Sequence, residues 1–116
     1  MSALNLLVLK ARDPERLVSF YGKLGLSFVR EQHGNGPVHH SSSDAGGATF
    51  EICPRQHNDD ATTGTRIGFR VESVELTLAA CSAPILREPS LTPWGKRAVI
   101  QDPEGHKVEL VETTRT

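Results

Sequence analysis

Short apolar runs with strand-like alternation fill most of this chain, and two stretches break that rhythm with helical spacing. Leu4 to Ala11 reads as a strand. Asp13-Pro14-Glu15 then opens a helix, with Asp as N-cap and Pro at the first helical position. Leu17, Val18, Tyr21 and Leu24 recur at helical spacing, and Gly25 ends the helix as its C-cap. Leu26 to Gln32 reads as a second strand, His33-Gly34-Asn35-Gly36-Pro37 as a turn, and Val38 to Ser43 as a weaker strand. Asp44 to Gly47 is a turn, and Ala48 to Cys53 a clear strand. The order is β-α-β-β-β.

The second half repeats it. Arg66 to Val71 reads as a strand, Val74 to Ser82 as a helix and Ile85 to Glu88 as a strand. A loop from Pro89 to Gly95 leads to strand Lys96 to Gln101. Asp102-Pro103-Glu104-Gly105 is a turn with Pro at i+1 and Gly at i+3, and strand Lys107 to Glu112 closes the pattern. Thr113 to Thr116 is expected to fray. Between the halves, Pro54 to Gly64 is polar and shows no apolar periodicity. The chain therefore predicts one domain over 1–116, with modules at about 1–54 and 65–116 joined by a linker at about 55–64.

Alternation sorts the side chains of these strands. Leu7, Leu9 and Ala11 share one face of the first strand, and Ile67, Phe69 and Val71 share one face of its counterpart. These sets should pack beneath the helices. Phe50, Ile52, Val108 and Leu110 join that core, which turns Thr49, Glu51 and Cys53, and Lys107, Glu109 and Val111, the other way. The polar side thus gathers Glu51, Glu109, Arg66 and Arg70.

Size and charge narrow the function classes. At 116 residues, 37% apolar and 23% charged with a formal net charge of −1, the chain carries no basic excess for nucleic acid. Its longest apolar run near the start, Leu6 to Leu9, meets Lys10 at once, and no signal-peptide pattern precedes it. No membrane association and a cytoplasmic location are expected. Cys53 and Cys81 fall one in each half without zinc-like spacing, and read as small buried hydrophobes. No nucleophile elbow surrounds Ser41, Ser42 and Ser43, and no phosphate loop or GxGxxG is present.

In order and spacing, three sets of residues resemble the vicinal oxygen chelate superfamily, the glyoxalase/bleomycin-resistance/extradiol-dioxygenase group. They are Asp13-Pro14-Glu15 leading to Ser19-Phe20-Tyr21 and Leu24-Gly25-Leu26, then Gly68-Phe69-Arg70-Val71, then Asp102-Pro103-Glu104-Gly105 ahead of Val108-Glu109-Leu110. The resemblance covers nearly the whole chain. It implies an α+β fold of two βαβββ modules, whose mixed sheet forms an open half-barrel around a ligand cavity with helices on the outer face. Members of the family often form homodimers, so a homodimer is expected.

Many such proteins hold a divalent metal with four side chains from the first and last strands of each module. The resemblance places the last-strand positions on Glu51 and Glu109, which match. It places the first-strand positions on Leu6 and Arg66, which do not: leucine has no donor atom and a guanidinium no lone pair. Two carboxylates facing one cavity need a cation between them. Arg66, with Arg70 or Lys107, is the expected substitute, in an Arg–Glu network that needs no cofactor. The alternative is a divalent metal that Glu51 and Glu109 hold by recruiting His39 or His40, only one of which can face the cavity.

Other candidates follow from residue type. His40 beside the open mouth is a candidate ligand contact, since an imidazole exchanges protons near neutral pH. His33, His57 and His106 lie in or beside turns and read as solvated. Trp94, the sole tryptophan, reads either as a packing plug or as a platform for a planar ligand, and Gly95 beside it would admit close approach of a ligand. The expected function is small-molecule binding by Glu51, Arg66, Glu109, His40, Arg70 and Trp94 without chemistry, as in bleomycin-resistance proteins. The alternative is a metal-dependent lyase, isomerase or dioxygenase, as in glyoxalase I.

Overall fold

A computed structural model describes residues 1–57 and 60–113. Most of the expected fraying terminus, and part of the linker, lie outside these residues. The described chain divides into two compact units, the first ending at Thr62 and the second beginning at Thr63. The elements of the first are β1 (Leu6–Ala11), α1 (Pro14–Gly22), β2 (Val29–Glu31), β3 (His39–Ala45) and β4 (Ala48–Pro54). Those of the second are β5 (Arg66–Val71), α2 (Val74–Cys81), β6 (Ile85–Thr92), β7 (Gly95–Gln101) and β8 (Lys107–Glu112). Each unit is a βαβββ module, and the architecture is α+β. The expected mixed sheet is present as two open four-stranded sheets, ordered β1-β4-β3-β2 and β5-β8-β7-β6. Among the described residues, no helix is long and apolar enough to cross a membrane.

In each module the first strand runs parallel to the last, and the remaining pairs are antiparallel. Each helix lies in the chain between the first strand and the rest of its sheet, and it covers one face. Leu17, Phe20 and Tyr21 of α1 are buried there with Leu9, Ala11, Phe50 and Ile52. The Tyr21 and Phe50 rings meet edge to face at 5.0 Å. In the second module Val74 and Cys81 of α2 are buried, as are Ile67, Ala98, Ile100, Val108 and Leu110.

Local signals set the ends of these elements. Asp13 caps α1 by accepting from the Arg16 amide at 3.3 Å. The helix proper stops at Gly22, and a Schellman pattern follows. The Gly25 amide bonds the Gly22 carbonyl at 3.0 Å, the Leu26 amide bonds the Tyr21 carbonyl at 3.3 Å, and Gly25 takes φ +99°. Ser73 caps α2 through the Leu76 amide, and the Glu112 carboxylate accepts from the Val74 amide at 2.8 Å. That bond ties the helix to the last strand and sets a negative charge at the positive end of its dipole.

Four expectations need correction. The strand expected over Leu26 to Gln32 shrinks to Val29–Glu31, because the Leu26 amide closes α1 and the Ser27 amide bonds Asp44 at 3.0 Å. β3 extends to Ala45, and the turn tightens to Gly46 and Gly47, both at positive φ, as a two-residue hairpin requires. The loop expected from Pro89 to Gly95 is mostly strand: β6 continues to Thr92, with Pro89 inside a register shift on an edge strand, where a missing amide costs little. His106 is not solvated but fully buried, its Nδ1 2.9 Å from Asp102 Oδ2. Asp102 Oδ1 also accepts from the amides of Glu104, Gly105 and His106, each at 3.0 Å, so one carboxylate organises the whole turn.

Gly95 follows the two-residue Pro93-Trp94 hairpin with φ +127°, and a Cβ there would overlap the Glu112 carbonyl oxygen. The close approach made possible by this glycine is to the protein's own last strand. Gly95→Ala is therefore expected to cost more than about 2 kcal/mol, since both backbone strain and steric overlap oppose it. A thermal melt should show a Tm lower by roughly 10 °C.

Candidate functional site

Opposite the helix, each sheet presents a face that mixes charged and apolar side chains. In the first module Glu51 sits on β4 between Val8 of β1 and Ser41 of β3, its partners in register. Partners in register project to the same side, so Leu6, Val8, Lys10, Thr49 and Cys53 share the face of Glu51. So do His39 and Ser41 of β3, and Val29 and Glu31, their partners on β2. Glu51 is half-buried. Burial pushes the Cys53 thiol up, the Glu51 carboxylate pushes it further, and Lys10 opposes both.

The second module carries the corresponding face on β5, β8 and β7. Glu109 lies beside Gly68 and Val99 in register, flanked by Arg66, Arg70, Lys107 and Val111. Its charge partner is Arg97 of β7, whose Nε donates to Glu109 Oε1 along the diagonal between strands. Arg66 and Arg70 are exposed instead. The arginine–glutamate pairing expected from sequence is therefore present with a different arginine. The signal for it was available: with Ala98 and Ile100 in the core, alternation places Arg97 beside Val99 on the face of Glu109. The Arg97 and Glu109 side chains are 21% and 28% exposed, so water screens their attraction only in part. A Cβ on Gly68 would sit 3.6 Å from Glu109 Oε2, so the glycine leaves that oxygen uncovered.

These surroundings decide how the glutamates relate to a metal. The neighbours of Glu51 on the first strand are Leu6, Val8 and Lys10, and those of Glu109 are Arg66, Gly68 and Arg70. None offers a lone pair at neutral pH. On the first strands the direct register partners of the glutamates are Val8 and Gly68, which have no side-chain donor. The residues present do not fit the four-ligand metal site that the family resemblance implies.

The remaining sequence candidates divide. His40 pairs in register with Ile52 and Arg30, so it lies on the helix-side face, away from Glu51. Its Nδ1 is buried without a hydrogen-bond partner. His39 is the histidine on the face of Glu51. Trp94, in the β6–β7 hairpin, is 73% exposed, which rules out a packing plug and leaves its ring open to a planar ligand.

Cys53 reports the charge of Glu51. A raised thiol pKa means little thiolate at neutral pH, and the thiolate is the form that reacts. Glu51→Gln removes the smaller of the two contributions that raise the thiol, so alkylation of Cys53 at pH 7.5 should speed up. Peptide mass spectrometry after a timed iodoacetamide pulse reads this rate separately from that of buried Cys81. An unchanged rate would mean that the two groups do not sense each other.

Comparison with known proteins agrees with this architecture. No curated protein sequence matches the chain. Among solved structures, the chain superposes on TnmS3, an antibiotic binding protein from Streptomyces sp. CB03234, with a TM-score of 0.76 at 21% identity, covering 98% of both chains. A glyoxylase/bleomycin resistance protein/dioxygenase domain from Frankia sp. EAN1pec gives 0.74 at 19% identity, covering 98% of this chain and 99% of the other. TioX from Micromonospora sp. ML1 gives 0.71 at 20% identity, covering 97% and 100%. At such identities the likeness is one of fold. The family's own sequence profile matches residues 3–110, and on that ground the chain belongs to the Glyoxalase/Bleomycin resistance protein/Dioxygenase superfamily.

Proposed function

We propose that this protein binds a small organic molecule on the sheet face of the second module that carries the Glu109–Arg97 pair, and that it does so without the metal used by many members of its family. One observation carries the reading: a guanidinium already holds Glu109. The first-strand neighbours of both glutamates also lack donors for a cation. Arg66, Arg70 and Lys107 supply hydrogen-bond donors for oxygen-rich ligands, and Trp94 supplies an exposed ring for stacking. The antibiotic-binding TnmS3 shares the fold, which favours an antibiotic as the ligand class. Neither Cys53 nor Cys81 is in a disulfide, which supports a reducing cytoplasm as the location.

Titration of the protein with a panel of fused-ring antibiotics, followed by Trp94 fluorescence and calorimetry, tests this reading. At least one member should bind with micromolar affinity, and Arg97→Ala should weaken it by roughly tenfold, as expected when a charge-assisted contact is removed. Metal-dependent turnover that disappears in both Glu51→Gln and Glu109→Gln would overturn it in favour of a lyase, isomerase or dioxygenase.

The functional unit proposed is a homodimer. Val29 on edge strand β2, and Ile85, Leu86 and Leu91 on edge strand β6, leave large apolar side chains exposed. Light scattering at micromolar concentration should return twice the chain mass of 12.6 kDa. The mass of a single chain would exclude the dimer.

A further inference from the structure

We propose that Glu31, His33 and His39 form a binding site for a borderline divalent cation, Zn²⁺ above all, at the β2–β3 end of the first sheet. This inference is independent of the ligand reading above. It uses none of the residues that stand at the family's metal positions.

Strand register assembles the first two donors. Glu31 and His39 are direct partners across the antiparallel β2–β3 ladder, so their side chains leave the sheet on the same side. His39 Nε2 lies 3.5 Å from Glu31 Oε1. Two donors on a tetrahedral zinc ion, with bonds of about 2.0–2.1 Å, stand about 3.3 Å apart. One edge of the coordination tetrahedron is therefore already close to its final length.

The loop supplies the third donor. From β2 the chain turns back through His33-Gly34-Asn35-Gly36. The Gly36 amide bonds the His33 carbonyl at 3.0 Å, the Gln32 side chain bonds the Gly36 carbonyl at 2.9 Å, and Gly34 takes φ +57°. This turn returns the His33 ring onto that of His39, with centroids 5.0 Å apart and planes inclined by 28°. Two imidazoles bound to one tetrahedral ion have centroids about 5 Å apart. One ligand atom from each of the three residues lies within 4.8 Å of the other two. Closing that spread to bonding distance takes about 1.5 Å of side-chain rotation, which an exposed loop histidine and a partly exposed glutamate can make.

The donor set selects the ion. Two imidazoles and one carboxylate suit Zn²⁺, Ni²⁺ and Cu²⁺ and poorly suit Mg²⁺ or Ca²⁺, which want oxygen ligands. Three protein ligands leave a fourth position for water or for an oxygen of a bound molecule. A cation there would tie the three-residue β2, an edge strand, to β3.

Calorimetric titration of the full chain with ZnCl₂ at pH 7.5 tests the site. One ion per chain is expected, with a Kd tighter than about 100 µM, and a preference for Zn²⁺ over Mg²⁺ of at least a hundredfold. Glu31→Gln, His33→Asn and His39→Asn should each weaken binding tenfold or more, whereas His57→Asn should not. Circular dichroism on each variant separates loss of a ligand from loss of fold. Weaker binding, or a loss below tenfold in folded variants, overturns the proposal.

Discussion

Parallel pairing of the first strand with the last is the constraint on which each module depends. Two parallel neighbours cannot be joined by a tight turn, so the chain must leave the sheet and return. In both modules it leaves through a helix, then adds the middle strands by hairpin-like steps before the closing strand slots beside the first. The helix must lie on one face, and that face takes the apolar half of each alternating strand. The other face receives whatever remains. Glu51 and Glu109 stand where they do because Phe50, Ile52, Val108 and Leu110 claim the opposite side.

The two faces then solve the problem of a half-buried carboxylate differently. Glu109 has a fixed counter-charge in Arg97, set diagonally across the β7–β8 ladder. Glu51 has apolar Val8 and hydroxyl-bearing Ser41 in register, with Lys10 two positions along β1. Its field reaches Cys53 instead. Near-repetition of the fold therefore does not repeat the electrostatics, and the second module holds the more strongly organised charge.

Much of this was legible because strand alternation is a direct physical signal. β5 and β8 occupy the residues that the apolar pattern marks, and Leu9, Ala11, Phe50, Ile52, Ile67, Val108 and Leu110 are buried as it indicates, whereas Leu7, Phe69 and Val71 are only half-buried. The failures have separate causes. Pro89 suggested a loop because proline breaks a ladder, yet an edge strand with a register shift tolerates it. Polar His106 beside a turn suggested solvent, but pairing with Asp102 offsets the cost of its burial. Two adjacent histidines on one strand cannot be assigned to faces without knowing register, and register is a property of strand pairs. Alternation does place Arg97 on the face of Glu109, but charged Lys96 on the opposite face and apolar Val99 beside Arg97 make that pattern faint.

A face organised by an arginine differs chemically from one organised by a metal ion. A divalent ion offers vacant coordination positions, and so polarises a carbonyl or enolate oxygen as a Lewis acid. A guanidinium offers only N–H groups in a plane, and its charge is permanent. It orients a ligand oxygen by hydrogen bonds, but it has no orbital with which to accept an electron pair. Arg97 also spends its Nε–H on Glu109, which fixes the plane of the remaining donors before any ligand arrives. Pre-orientation of this kind lowers the entropy lost on binding. On the proposed reading, the ion pair that orients Arg97 thus prepares this face to hold a molecule by hydrogen bonds.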